Sequence, residues 1–226
     1  NYTKAAEKAA EFILTTLINN DGRLMARYRH GETAYLGYID DYAFLIWGLI
    51  ELYETTFKPH YLKKAVELSN DMIRLFWDNM NGGFFIYGSD GEQLIARPKE
   101  AHDGAMPSGN SVSVLNFVRL AKLTGNQELS ETAFKIFKAF ESELEAAPTG
   151  YSFMLSALMY LYQPSIEVVL VSGDYFDYEC LEMLNIIRKE FNPFTSIVIY
   201  SKKYRELADI IPHIVDYKEI EGKTTA

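Results

Sequence analysis

The chain has 226 residues, 48% hydrophobic and 23% charged, with 22 Lys plus Arg against 31 Asp plus Glu and a formal net charge of −9. That acidic balance, with no basic run longer than Lys63-Lys64 or Lys202-Lys203, excludes a phosphate backbone as partner. The single cysteine, Cys180, leaves no internal disulfide or Cys/His metal cluster, and the longest apolar run, Tyr42 to Ile50, is too short to span a bilayer, so a cytoplasmic protein without metal, cofactor or membrane anchor is expected.

From Tyr2 to Ile18 the apolar residues Ala6, Ala9, Ala10, Ile13, Leu14 and Leu17 recur at helical spacing, and Asn19-Asn20-Asp21-Gly22 ends the run. The next stretch, RLMARYRHGETAYLGYI, alternates loosely and reads as a loop with short strand-like pieces. A second helix is predicted from about Asp40 to Thr56, and a third from Pro59, a residue suited to a first helical turn, to Phe76. A Gly-rich connector from Asp78 to Asp103 follows. Helices are then expected over about Pro107 to Leu123, Glu128 to Leu144 and Tyr151 to Tyr162.

Two junctions read alike. ETTFKPHYLKKA and KLTGNQELSETA align Thr56 on Thr124, Tyr61 on Leu129 and Ala65 on Ala133, a constant offset of 68 residues. A unit of helix, short turn, helix and long loop fills that period and stacks laterally into a ring, gathering its long loops on one face. The expected fold is therefore mainly α, a partial ring of helical hairpins over residues 1–163. After it, over 164–226, the short runs IEVVLV and SIVIY flank an amphipathic stretch with Ser172 or Asp174 as its cap. This is a βαβ pattern, with IEVVLV read as a strand largely buried on both faces.

Candidate chemistry concentrates in two places. HDGAMPSGN sets Asp103, Pro107, Ser108 and Asn110 against the start of an apolar helix, where such residues either cap free amides or floor a polar pocket. Just upstream, Arg97, Lys99, Glu100 and His102 mix donors and acceptors as hydroxyl-rich ligands require. In GYIDDYAFLIW, Asp40 and Asp41 precede the aromatics Tyr42 and Trp47; two acids there stabilise a helix amino end or serve as acid and base beside stacking rings. Paired carboxylates across an aromatic mouth suit glycosyl chemistry, with Asp103 and Asp40 or Asp41 as acid and base and His102 as an alternative base. Arg97, Lys99, Glu100, Ser108, Asn110, Tyr42 and Trp47 are then the expected sugar contacts.

The runs DGRLMARYRHG, IDDYAFLIWGLIELYE, FWDNMNGGFFIYG and RPKEAHDGAMPSGNSVSVLNFVRLAKLTG, in that order, resemble the carboxy-terminal half of the YyaL-like proteins, the spermatogenesis-associated, thioredoxin-domain relatives. The resemblance implies an (α/α)6 toroid of the six-hairpin glycosidase type. It also implies that the Asp40–Tyr42 and Arg97–Asn110 blocks stand around the toroid mouth. Two functions are expected from it: a carbohydrate-active domain with hydrolase or epimerase chemistry on a sugar, or a non-catalytic binding module of a thioredoxin-domain protein. Six helices make half such a ring, so the remaining half of a longer protein, or a second copy, is the expected partner.

Overall fold

The computed structural model describes residues 1–92, 95–173 and 176–226. Helix α1 (Tyr2–Phe12) runs on through one π turn (Ile13–Leu17). The segment read as a loop with strand-like pieces closes into a hairpin, β1 (Met25–Arg29) antiparallel to β2 (Glu32–Leu36). His30 and Gly31 at its turn have φ of 53° and 87°. Two left-handed residues in succession give a turn whose twist matches that of the strands.

Helices α2 (Ile39–Thr56) and α3 (Pro59–Phe76) form one hairpin, and α4 (Gly109–Thr124) and α5 (Gln127–Ala139) the next. The 68-residue offset survives in atomic detail. Thr56 Oγ1 donates to Leu52 O at 2.6 Å and Thr124 Oγ1 to Leu120 O at 2.7 Å, and each hydroxyl accepts from the amide two residues on, that of Lys58 or Asn126. Both helices end on a left-handed residue, Phe57 and Gly125. Tyr61 and Leu129, and Ala65 and Ala133, are all buried at the hairpin seams.

The helix expected from Glu128 to Leu144 is broken: α5 stops at Ala139, Phe140 leaves helical geometry at φ −118°, and a short α6 (Glu141–Ala146) follows. A 3-10 turn then leads into α7 (Ser152–Tyr162). Helices α2, α4 and α7 lie side by side, with α3 and α5 packed on them. Helix α4 is the most enclosed, with 13 of its 16 residues buried. This is the lateral stacking of hairpins expected of an α/α ring segment.

Strands β3 (Ile166–Ser172) and β4 (Thr195–Ser201) pair in parallel around α8 (Tyr178–Ile187), as the βαβ pattern requires. Only the Leu170–Ser172 end of β3 is buried, because the sheet has two strands and leaves Ile166 and Glu167 exposed; burial of that strand on both faces is corrected accordingly. The cap of α8 is Asp177, which accepts from Cys180 N and from the Ser172 hydroxyl; Asp174 lies outside the described residues. One hydrophobic cluster joins both segments, running from Tyr42 and Phe117 to Ile199 and Ile214. No helix among the described residues is long and apolar enough to cross a membrane.

Cys180 is fully buried on α8, and burial pushes its thiol above the usual range. A thiol reagent is therefore expected to leave the native chain unmodified and to label one site per chain in denaturant. Labelling at full rate in native buffer would contradict the packing of α8.

Candidate functional site

The amino ends of α2, α4 and α7 converge, and the HDGAMPSGN loop is where they meet. Asp103 is the clamp. Its Oδ1 accepts from Ser108 N at 3.0 Å, at the start of α4, and its Oδ2 accepts from Phe153 N at 2.8 Å and Met154 N at 3.4 Å, in the first turn of α7. Its own amide donates to Gly150 O. Ser108 caps α4 through Ser111 N, and Ser111 Oγ ties back to Ala101 O. One carboxylate thus satisfies free amides of two helices, where an N-terminal dipole favours negative charge.

The acids of α2 behave differently from each other. Asp41 accepts from Tyr38 N at 2.7 Å, half of a capping box. Asp40 reaches across to α4 and accepts from Gly109 N. A Cβ at position 109 would collide with Asp40 Oδ1 and with the Ile39 side chain, so the glycine in SGN is what lets the two helix ends approach. Desolvation at this contact raises the Asp40 carboxyl above the usual carboxylate range against the help of the Gly109 amide, and repulsion from Asp41 and Glu100 adds to the rise. No ion pair among the described residues involves Asp40 or Asp41.

Most of the expected sugar contacts are committed within the fold. Tyr42 is fully buried, packs edge-on against Phe76 and accepts from Leu24 N, so it is core rather than a wall of the mouth. Asn110, 1% exposed, accepts from Phe84 N and donates to Phe84 O and Glu100 O, pinning the long connector to α4. Lys99 donates to Asp78 Oδ2 at 2.7 Å and to Gly82 O at 2.8 Å. Arg97 stacks over Phe85, 4.1 Å from the ring centroid, and donates to Tyr87 O. The Trp47 indole donates to Glu51 and its ring meets Phe153. His102 is exposed, lying edge-on to Tyr151 and close over Gly150, and Glu100 is exposed beside it.

The structure therefore sets Asp103 and Ser108 at the start of α4, Asp40 against Gly109 with Glu100 near enough to repel it, and His102 over Gly150, while Tyr42, Lys99 and Asn110 serve the scaffold. Sequence reasoning missed one participant. Asp78, in the turn after α3, is the anion that holds Lys99, and the only signal was its place before Asn-Met-Asn-Gly-Gly, a turn-forming run. Gly109, which the resemblance sets at the mouth, acts there through its lack of a side chain, which admits Asp40.

The chain is related to the spermatogenesis-associated proteins over most of its length. It is 28% identical over 191 residues to spermatogenesis-associated protein 20 of Rattus norvegicus, a match covering 84% of this chain and 24% of that protein. The Homo sapiens protein of the same name is 27% identical over 199 residues, covering 87% of this chain and 25% of that protein. An uncharacterized protein of Caenorhabditis elegans is 35% identical over 164 residues, 70% of this chain and 22% of its own length. The chain thus spans about a quarter of the length of the curated relatives it matches. No family model matches it. Among solved structures, an unsaturated glucuronyl hydrolase bound to dGlcA-Glc-Rha-Glc aligns with a TM-score of 0.48 at 18% identity, over 80% of this chain and 52% of that one.

Proposed function

We propose that this chain serves as a non-catalytic binding and scaffold segment of a longer, thioredoxin-domain type of protein, with a helical-hairpin part at residues 1–163 and a βαβ part at 164–226. The observation that carries this reading is the engagement of the acids. Both oxygens of Asp103 face backbone N–H donors, and Asp41 is held by Tyr38 N. A glycosidase pair needs one carboxyl free to give a proton and a second free to activate water or attack. Carboxylates that terminate helices meet neither requirement.

A second reading keeps sugar chemistry, with Asp40 as a single acid and the exposed His102 as the candidate base. What favours it is that Asp40 is an exposed residue whose carboxyl is raised, the direction a general acid requires. The two readings separate in one experiment: melting of the wild-type chain and of Asp40→Asn against neutral, amino and acidic sugars, with product analysis by chromatography. The scaffold reading expects no product from any sugar. A sugar that raises the melting temperature of wild type only, and is turned over, would establish the second reading instead.

A further inference from the structure

After β4 the chain leaves through the 3-10 stretch Lys202–Asp209 and comes back to the opposite edge of β3, where Val171 and Thr225 exchange backbone bonds of 2.8 and 3.1 Å. Strand β3 thus has β4 on one side and Thr225 on the other. Where the neighbours of a strand are reached in opposite directions, a crevice opens at the carboxyl ends, the position at which open α/β sheets take their ligands. A cavity of about 640 Å3 stands here, lined by Val171, Ser172, Tyr200 and Ser201, the last residues of the two strands. That volume lies in the range of small-molecule sites.

One hydroxyl in this lining is unmet. Ser172 and Ser201 stand opposite each other in the parallel register, and the Ser172 hydroxyl donates to Asp177 Oδ2 at 2.6 Å. Ser201 is 2% exposed, yet its Oγ has no hydrogen-bond partner among the described residues. A buried hydroxyl left so costs free energy that a polar group of an occupant would return.

The rest of the lining is chemically mixed. Arg205 and Lys218 are exposed there and enter no ion pair among the described residues. Asp209 and Glu219 supply acceptors; a Cβ at Gly173 would collide with the Glu219 carboxylate, so the glycine after β3 lets that acid approach the strand end. Tyr217 presents a ring that is 46% exposed. Cations for an anionic group, carboxylates for hydroxyl donors and a ring for stacking are together what a mononucleotide requires. With one glycine after β3 there is no glycine-rich phosphate loop, so the phosphate falls to side chains. A single phosphate needs only this local pair of cations, whereas a polymer's backbone meets the acidic balance of the whole chain.

We propose that this crevice binds a mononucleotide, its phosphate held by Arg205 and Lys218, its ribose hydroxyls donating to Asp209 or Glu219, its base against Tyr217, and a polar group of the ligand bonded to Ser201. The crevice belongs to the βαβ part and shares no residue with the convergence of α2, α4 and α7, so the inference stands or falls independently of what that face does.

The test is calorimetric titration of the full 226-residue chain with AMP and with UMP, against adenosine, uridine, ribose 5-phosphate and inorganic phosphate at one ionic strength. At least one nucleotide is expected to bind, about tenfold or more tighter than its own nucleoside, the sugar phosphate or free phosphate. Arg205→Gln changes an exposed side chain and is expected to weaken that nucleotide about tenfold while leaving its nucleoside unaffected. Ser201→Ala removes no bond of the fold, so it is expected to melt no lower than wild type and to weaken the nucleotide about three- to tenfold. Failure of both nucleotides to bind, free phosphate binding as tightly as either, or nucleotide affinity unchanged in either variant overturns the proposal.

Discussion

Asp103→Asn is expected to lower the melting temperature by about 4–16 °C, whereas Asp40→Asn is expected to leave it unchanged or raise it. The contrast follows from the number of donors each carboxylate faces. Asp103 has one oxygen on Ser108 N and the other on Phe153 N and Met154 N, so an isosteric amide must turn its NH2 onto one set of N–H groups. One helix loses its acceptor and gains a repelling donor. Loss of a cap costs about 1 kcal/mol and an orphaned donor about 1–3 kcal/mol, together about 2–4 kcal/mol. At about 2–4 °C per kcal/mol for a chain of this size, the stated shift follows.

Among the described residues Asp40 accepts from Gly109 N, which an asparagine oxygen can do equally well. Because its folded carboxyl is raised above its unfolded value, ionisation weakens the fold: its contribution is full at acid pH and falls away as pH rises through the folded value. The Asn variant is spared that loss. Its advantage over wild type should therefore be present at pH 7 and vanish near pH 4, as read by paired melts. Equal destabilisation by both variants would mean that Asp40 is a cap like Asp103, and would remove the reason to retain it as an acid.

Much of the fold was legible because local chemistry and tertiary demand agreed. Pro59 opens α3 in its first turn, Gly125 ends α4 at φ 73°, and the shared Thr at 56 and 124 marks equivalent helix ends. Where they disagreed, the sequence was silent. Nothing in FKAFESELEA breaks a helix, yet Phe140 turns inward to lie against Gly83, where a Cβ would stand 3.1 Å from its ring. Only the folded connector supplies that contact. In α4, Asn110, Ser111, Ser113 and Asn116 are polar yet buried, each bonded to a carbonyl of Phe84, Ala101, Gly109 or Ala43.

The candidate site was legible as a place but not as a function, for a reason specific to acids at helix ends. A carboxylate beside free amides has the same sequence signature whether it caps a helix or acts on a ligand. The difference lies in whether its oxygens are already occupied, as those of Asp103 are and as periodicity cannot reveal.

The turn after α3 carries the other large effect. Asp78, 6% exposed, accepts from Lys99 Nζ, Met80 N, Asn81 N and Asn81 Nδ2, and these partners hold its carboxyl well below the usual carboxylate range. Lys99→Met removes the one cation and leaves a buried charge, which costs about 3–5 kcal/mol when one partner of such a pair is lost; Lys99 retains some solvent, so the lower end, about 3 kcal/mol, is expected at pH 7. Since a depressed carboxyl stabilises the fold above its unfolded value and loses that contribution as pH falls toward the folded one, the gap between wild type and Lys99→Met should narrow below about pH 4. Asp78→Asn with Lys99→Met should cost less than Lys99→Met alone, because no uncompensated charge remains. Denaturant melts at pH 7 and pH 3 read wild type and both variants, and a gap that persists unchanged at pH 3 would mean that Lys99 acts by packing on Phe85 rather than through Asp78. Either way the consequence reaches the convergence of α2, α4 and α7: Lys99 fastens the connector that leads, three residues later, into His102 and Asp103. Loosening it is expected to weaken the clamp on α4 and α7 without touching either helix.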